Sequence, residues 1–470
     1  MIRHGLLRPR IKKARFLPDT RLGKGIHKKE RYVTELKMTE SIFTPDFKDT
    51  PYWWDASPLC EEEQQPFDTS VDVLVIGAGY TGLCVALQTA RGGKSTLVID
   101  RHAPGWGCSS RNGGQISTGI KPDFHALARE HGEAVALEAH KEGHRAVAWI
   151  GEFIKAESLD CHYRQCGRFY GAHTPKHFEK LKNKMASQQP AVAIDSFSIS
   201  KADQQAEIQS DFYHGGLVQT QFASLDPGAY HRGLLARVRA TGAVVSGFTE
   251  ALAIERCKSG GGFEVRTSRG VIKANDVVIA TNGYTSRLTP WQQRRVFPIG
   301  SYIIATEDLG ESARALIPND RMVVDSRRIV VYYRLSPDGR RIIFGGRVSL
   351  AETDPRISAP RLHRHMTTIF PQLENARISH SWMGFVGWTF QHMPHLGRHD
   401  GVWYSMGYCG SGVALSSYFG TRLGQQILGL EEGKSVLSDL PFRTKPLYYG
   451  KPWFLTASVG WYGLLDRMGL

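Results

Sequence analysis

The sequence predicts an α/β fold. Three observations carry that expectation: a buried strand runs straight into a glycine turn and a helix from Val71, a second strand ends on Asp100, and later strands return the chain to the same sheet. At 71–76, VDVLVI is a run of β-formers; GAGYTG follows at once. Leu83, Ala86, Leu87 and Ala90 then recur at helical spacing until Gly92 and Gly93 end the helix. TLVID closes the unit, with Asp100 at its end and Arg101 beside it. A βαβ unit of about 30 residues with Gly77, Gly79 and Gly82 in GxGxxG positions is a Rossmann-type dinucleotide signature. Gly77 permits the tight turn, Gly79 lets backbone approach a pyrophosphate, and Gly82 lets helix and strand pack closely. The helix N-terminus offers N–H groups to the anion, and Asp100 accepts from a ribose hydroxyl.

The next stretch, SSRNGGQISTG at 109–119, is polar and glycine-rich where a core segment would be apolar. A loop at that distance from Asp100 can run under the pyrophosphate toward whatever the nucleotide carries, with Arg111 and Asn112 as donors. Downstream, ALAIERC, FEVRTS and GVIKA read as short strands, and DVVIATNG at 276–283 as a separate buried strand returning to the sheet. Near the far end, VWYSMGYCGSGVAL is a strand, a glycine turn (Gly407, Gly410, Gly412) and a helix start that aims N–H groups at an electron-rich carbonyl, such as a flavin pyrimidine edge. No second GxGxxG exists for a separate nicotinamide cofactor, so one nucleotide held from both ends of the chain reads as FAD and not NAD.

Composition narrows the rest. The 470 residues are 41% hydrophobic and 22% charged, which is ordinary globular usage. The net charge of +14 is concentrated: residues 1–37 hold 12 Lys/Arg against 3 Asp/Glu. That segment reads as a disordered extension spanning 1–50, and the body shows no basic aromatic face for nucleic acid. Seven cysteines without a CxxC pair read as reduced thiols of a cytoplasmic protein. No apolar run is long enough to span a bilayer. The terminal WFLTASVGWYGLL reads as docking onto its own body. His140 and His144 read as a solvated helix face, and His392, His395 and His399 as loop residues near a site mouth; no metal is expected.

GAGYTGL, SSRNGGQ, VYYRLSPDGRRIIFGG, PHLGR, WYSMGYCGSGV and GWYGLLDRMG together resemble the flavin-dependent amine oxidases of the D-amino acid oxidase superfamily, in particular the gamma-glutamylputrescine oxidase subgroup. The similarity runs from Pro51 to the C-terminus. It implies an FAD domain (70–120, 210–290, 378–435) interleaved with an antiparallel-sheet substrate domain (121–209, 291–377) and a docking segment at 436–470. By that resemblance Gly77, Gly79, Tyr80, Thr81, Gly82 and Asp100 hold the ADP moiety, with the adenine near Ala251. Ser110, Arg111, Asn112, Gly113, Gly114 and Gln115 run along pyrophosphate and flavin. Thr281, Asn282 and Gly283 close the pocket, and Gly407, Gly410, Ser411, Gly412 and Val413 face the pyrimidine. No cysteine follows Trp382 in SWMGFVGWTFQHMP, so the flavin is expected to be non-covalent.

The implied reaction is oxidation of a gamma-glutamylputrescine-like amine by oxygen. Arg340 to Arg347 contains no lysine to assist oxygen, which leaves another electron acceptor open. Arg347 is the expected partner of a substrate carboxylate, with Gln115, Tyr302, Tyr333 and Trp388 as pocket walls.

Overall fold

The structure, a computed structural model, describes residues 42–59, 64–258, 260–347 and 353–469. The basic segment of residues 1–41 lies outside the described residues. Thr44–Leu470 form one compact unit.

Its first sheet is built around the glycine motif. The motif strand Ser70–Ile76 runs parallel to Thr96–Ile99 on one side and to Gly270–Ile279 on the other, and Val244–Ser246 continues the parallel order beyond Thr96–Ile99. Parallel strands covered on both faces read as continuous apolar runs, and Val73, Leu74 and Val75 are fully buried. The sequence suggested two strands where there is one. Gly270–Ile279 pairs antiparallel with Phe263–Thr267 through its first half and parallel with the motif strand through its second. Its polar-alternating start and apolar end therefore reflect two environments along a single strand. Val402–Met406 then pairs parallel with Val278 and Ile279, which returns the C-terminal part of the chain to this sheet.

The motif helix Tyr80–Arg91 packs against the helix Gly412–Ile427, and small residues let them approach: a Cβ on Gly420 would meet the Thr81 carbonyl oxygen at 2.6 Å. Eleven residues of Gly412–Ile427, Val413 and Leu423 among them, are buried. That stripe joins the two distant glycine turns through one core.

The second sheet runs Ile378–Thr389, Val296–Thr306, Ile342–Gly346, Val331–Leu335, Met322–Asp325, Arg168–Gly171, Gly216–Gln219, Ser196–Ile199. Neighbours are antiparallel except Met322–Asp325 with Arg168–Gly171, which are parallel. Two strands assigned by sequence to the nucleotide domain, Gly216–Gln219 and Ile378–Thr389, belong to this sheet instead. Strand pairing across long connections leaves no local signature, so chain order misplaced them. The α/β architecture itself is as expected: a parallel nucleotide sheet interleaved with a largely antiparallel one.

His140 and His144 sit half-buried on Glu133–Ala156, not on a solvated face. The His144 ring contacts the Val192 carbonyl at 3.0 Å, and no metal-binding cluster exists among the described residues.

Candidate functional site

A cavity of about 810 Å³ is lined by both sheets, the loop after Asp100, and the C-terminal helix Leu455–Arg467. Its size suits a buried organic ligand.

The glycine turn forms its floor. Gly77 has φ +115°, and a Cβ there would lie 2.8 Å from the Ala280 carbonyl oxygen. A Cβ on Gly82 would collide with the Gly77 carbonyl oxygen, so helix and strand meet at backbone distance. Gly79 precedes the helix, whose first-turn amides have no intrahelical partner. The Ala78 N–H donates to Asp100 Oδ2 and the His102 N–H to Oδ1, both at 2.9 Å. Burial holds the Asp100 carboxyl above its ordinary range, and the two amides oppose that shift. Each carboxylate oxygen retains a lone pair for another donor. Arg101, in a 3.7 Å ion pair with Glu250, and Ala251 border the same end of the cavity. Tyr80 and Thr81 contribute backbone only: the Tyr80 hydroxyl donates to Pro227 O at 2.9 Å, and the Thr81 hydroxyl is bonded to Tyr408.

The loop at 109–119 is held by three indoles. Trp54 Nε1 donates to Ser110 Oγ at 2.8 Å, Trp53 Nε1 to Asn112 O at 2.9 Å, and Trp382 Nε1 to Arg111 O at 2.8 Å. The Arg111 and Asn112 side chains brace the loop, and both residues also line the cavity. Arg111 Nε donates to Trp106 O, and its guanidinium lies 4.6 Å from both the Trp54 and Trp106 rings. Asn112 Nδ2 donates to Ser109 O while its Oδ1 accepts from the Gly114 N–H. With them Ser109, Gly113, Gln115, Ile116 and Ser117 of the loop line the cavity, and Gln115 Nε2 donates to Tyr333 O at 3.2 Å.

Opposite, strand alternation selects the roof. Phe297, Ile299, Ser301 and Ile303 of Val296–Thr306 line the cavity, which puts Tyr302 on the other face, fully buried with its hydroxyl accepting from the Thr353 N–H. Tyr333 likewise faces away, stacked on Phe344 and bonded to the Tyr213 hydroxyl; its neighbour Tyr332 lines the cavity, sharing a 2.9 Å hydrogen bond with Ser301. Both tyrosines named from sequence are therefore one residue out of phase. Arg347 and Trp388 do line the cavity: Arg347 Nη1 donates to Gly300 O, and Trp388 Nε1 donates to His392 Nδ1.

Beside the motif helix, Asn282 Oδ1 accepts from the Gly407 N–H at 2.9 Å, tying the turns after Ile279 and Met406 together. Thr281, Asn282, Gly410, Ser411, Gly412 and Val413 border the cavity. Gly82, Ser110, Gly114, Gly283 and Gly407 lie behind its wall, where they shape the backbone. Sequence reasoning missed Trp53, Trp54, Tyr332, Lys121, Arg168 and the C-terminal residues Phe454, Ser458 and Tyr462, all of which hold or line the site. For Tyr332 the signal was available in the alternation of its strand.

A glycine-turn floor, a buried acid after the second strand and a second glycine turn hydrogen-bonded to the motif helix define a dinucleotide site continuous with a roofed space. The chain belongs to the family of FAD dependent oxidoreductases (DAO), whose model matches residues 72–426. It is 30% identical over 429 residues to a gamma-glutamylputrescine oxidoreductase of Escherichia coli, covering 86% of this chain and 96% of the relative. It is 31% identical to a probable oxidoreductase OrdL of Rhizobium meliloti, covering 86% and 94%. Among solved structures, glycine oxidase from Geobacillus kaustophilus superposes with a TM-score of 0.67 at 17% identity, over 81% of this chain and 99% of the other. FAD is the cofactor of the family, and the backbone cradle at Gly77 and Gly79 fits its pyrophosphate.

Proposed function

We propose that the protein oxidises a C–N bond of a gamma-glutamylputrescine-like amine. The observation that carries this reading is the single cavity running from the glycine motif to the roof, in a chain similar along 86% of its length to a gamma-glutamylputrescine oxidoreductase. Gly77, Gly79 and the motif-helix amides would hold the pyrophosphate, Asp100 the ribose, and the Gly410–Ser411–Gly412 turn the pyrimidine edge. Bound there non-covalently, FAD would supply the two-electron acceptor for oxidation of the amine to an imine, with oxygen as the terminal acceptor. The resulting imine takes up water and leaves as aldehyde and ammonia. The chain's own part is to position and desolvate. Trp388, Tyr332 and the aliphatic roof side chains exclude water, and a dry pocket lowers an ammonium's pKa, which favours the neutral amine that can give up hydride.

Aerobic incubation of the holoenzyme with gamma-glutamylputrescine tests this reading by stoichiometric release of ammonia and hydrogen peroxide; absence of both refutes it. A dehydrogenase of amino acids or secondary amines is the second reading, favoured by the absence of lysine from 340–347. It predicts flavin reduction by sarcosine, pipecolate or a D-amino acid, with slow reoxidation in air.

A further inference from the structure

Thirteen large hydrophobic side chains are exposed among the described residues, and seven of them fall within 447–468, so exposed apolar surface is concentrated in one short segment. Both exposed tryptophans are there, Trp453 at 66% and Trp461 at 58%. The helix Leu455–Arg467 accounts for much of this. Its inner face, Leu455, Ser458, Val459 and Tyr462, lines the cavity. An ordinary surface helix turns polar residues outward, yet here Ala457, Trp461, Leu464 and Met468 recur at the spacing of one helical face, and all four are exposed. A helix apolar on two faces is stable when both are covered, and the outer one faces water.

Charge selects the cover. Between 444 and 470 the chain holds Lys445, Lys451 and Arg467 against a single acid, Asp466. That acid is engaged inward: its carboxylate accepts from the Arg328 N–H at 2.8 Å and from the Ile329 N–H at 2.9 Å. Lys445 and Lys451 are exposed, two residues along the chain from the exposed Leu447 and Trp453, and the Arg294 guanidinium lies 4.8 Å from the Tyr449 ring. A second copy meeting this face across a twofold axis would set the same cations against one another. The basic segment 1–37, with 12 Lys/Arg against 3 Asp/Glu, carries that sign too. An anionic lipid surface carries the opposite sign, and Trp and Tyr are the side chains that settle at headgroup level. A helix of 13 residues is about 20 Å long, short of a hydrocarbon core of about 30 Å, so it lies along such a surface and does not cross it.

We propose that residues 445–468 form a docking surface by which the protein binds the face of an anionic lipid bilayer. Trp461, Leu464 and Met468 enter the boundary between headgroups and acyl chains, and Lys445 and Lys451 meet the lipid phosphates. Because the inner face of the same helix lines the cavity, docking sets that wall of the cavity against the membrane. The proposal goes beyond amine oxidation and does not depend on it, since it stands on the outer face of the helix and the charges around it.

The test is co-sedimentation of the full-chain holoenzyme with vesicles of phosphatidylglycerol and phosphatidylcholine in equal parts, against vesicles of phosphatidylcholine alone. The holoenzyme binds the mixed vesicles with a blue shift of tryptophan emission, binds the neutral ones far less, and is released as salt is raised. Trp461→Ser combined with Leu464→Ser weakens partitioning at least about tenfold. Lys451→Glu weakens it roughly fivefold or more on the mixed vesicles. FAD content and melting temperature show that each protein is folded, and Lys451, ahead of the helix, carries the test should the double variant fail to fold. No binding of the wild type to the mixed vesicles overturns the proposal. Undiminished binding in the folded double variant does so too, because the basic segment 1–37 would then carry the attraction. A dimer in sedimentation velocity that the double variant dissociates, without vesicle binding by the wild type, would give the face to a second copy and equally overturn the proposal.

Discussion

Replacing Gly82 with alanine tests whether backbone contact between motif helix and strand sets the affinity for FAD. The new Cβ would collide with the Gly77 carbonyl oxygen and lie 3.0 Å from Val75 Cγ1, while ordinary contact begins near 3.4 Å. The helix Tyr80–Arg91 must therefore slide outward, and its first-turn amides move with it. Overpacking of this kind costs about 1–3 kcal/mol. Apoprotein can relieve the strain by the shift; FAD requires the helix back in place, so the cost falls on binding. At 1.4 kcal/mol per decade the FAD dissociation constant should rise roughly 5- to 150-fold. Titration of apoprotein with FAD, followed by quenching of flavin fluorescence, measures it. Gly261→Ala is the control, since no atom lies within 4 Å of its Cβ position. Affinity of Gly82→Ala within about twofold of wild type, at unchanged melting temperature, would refute the reasoning.

Three further outcomes are expected. Trp382→Phe removes the 2.8 Å bond to Arg111 O and should lower stability by about 1–3 kcal/mol in urea denaturation, with weaker FAD retention because the loop loses one indole. Tyr332→Phe should change KM for the amine, whereas Tyr302→Phe, whose side chain points away from the cavity, should lower the melting temperature and leave KM unaltered. Acid precipitation should release all flavin into the supernatant: burial pushes the two cavity-lining thiols, Cys108 and Cys409, up to about 11, which keeps them from thiolate attack at neutral pH.

The parts of this protein that were legible in sequence are those written locally. VDVLVI, GAGYTG and TLVID each lie within one element, and their order alone builds the motif strand, helix and neighbouring strand. The GYCGSG turn is equally local, and the structure sets it beside the motif helix in the cavity wall, where Tyr408 is hydrogen-bonded to Thr81. Phase within the roof strand Val296–Thr306 was lost because apolar residues sit on both of its faces, so nothing in the pattern told Ile303 from Tyr302. The indole clamps could not be read at all: Trp53 and Asn112 are 59 residues apart, and Trp382 and Arg111 are 271 apart. A conspicuous arginine in a glycine loop invites a ligand role; what sequence did not show is that Arg111, while lining the cavity, is also a brace held between two tryptophan rings and two backbone carbonyls. The C-terminal WFLTASVGWYGLL was expected to dock on the body; its helix carries Ser458, Val459 and Tyr462 to the cavity, while Trp453 and Trp461 remain exposed.

Anaerobic mixing of the yellow holoenzyme with gamma-glutamylputrescine, following the visible flavin band, tests the central claim most directly. The account predicts bleaching by the amine, with colour restored by air as peroxide forms. A flavin that stays oxidised with this substrate, and with sarcosine, pipecolate and D-amino acids, would contradict amine oxidation as the function of this site.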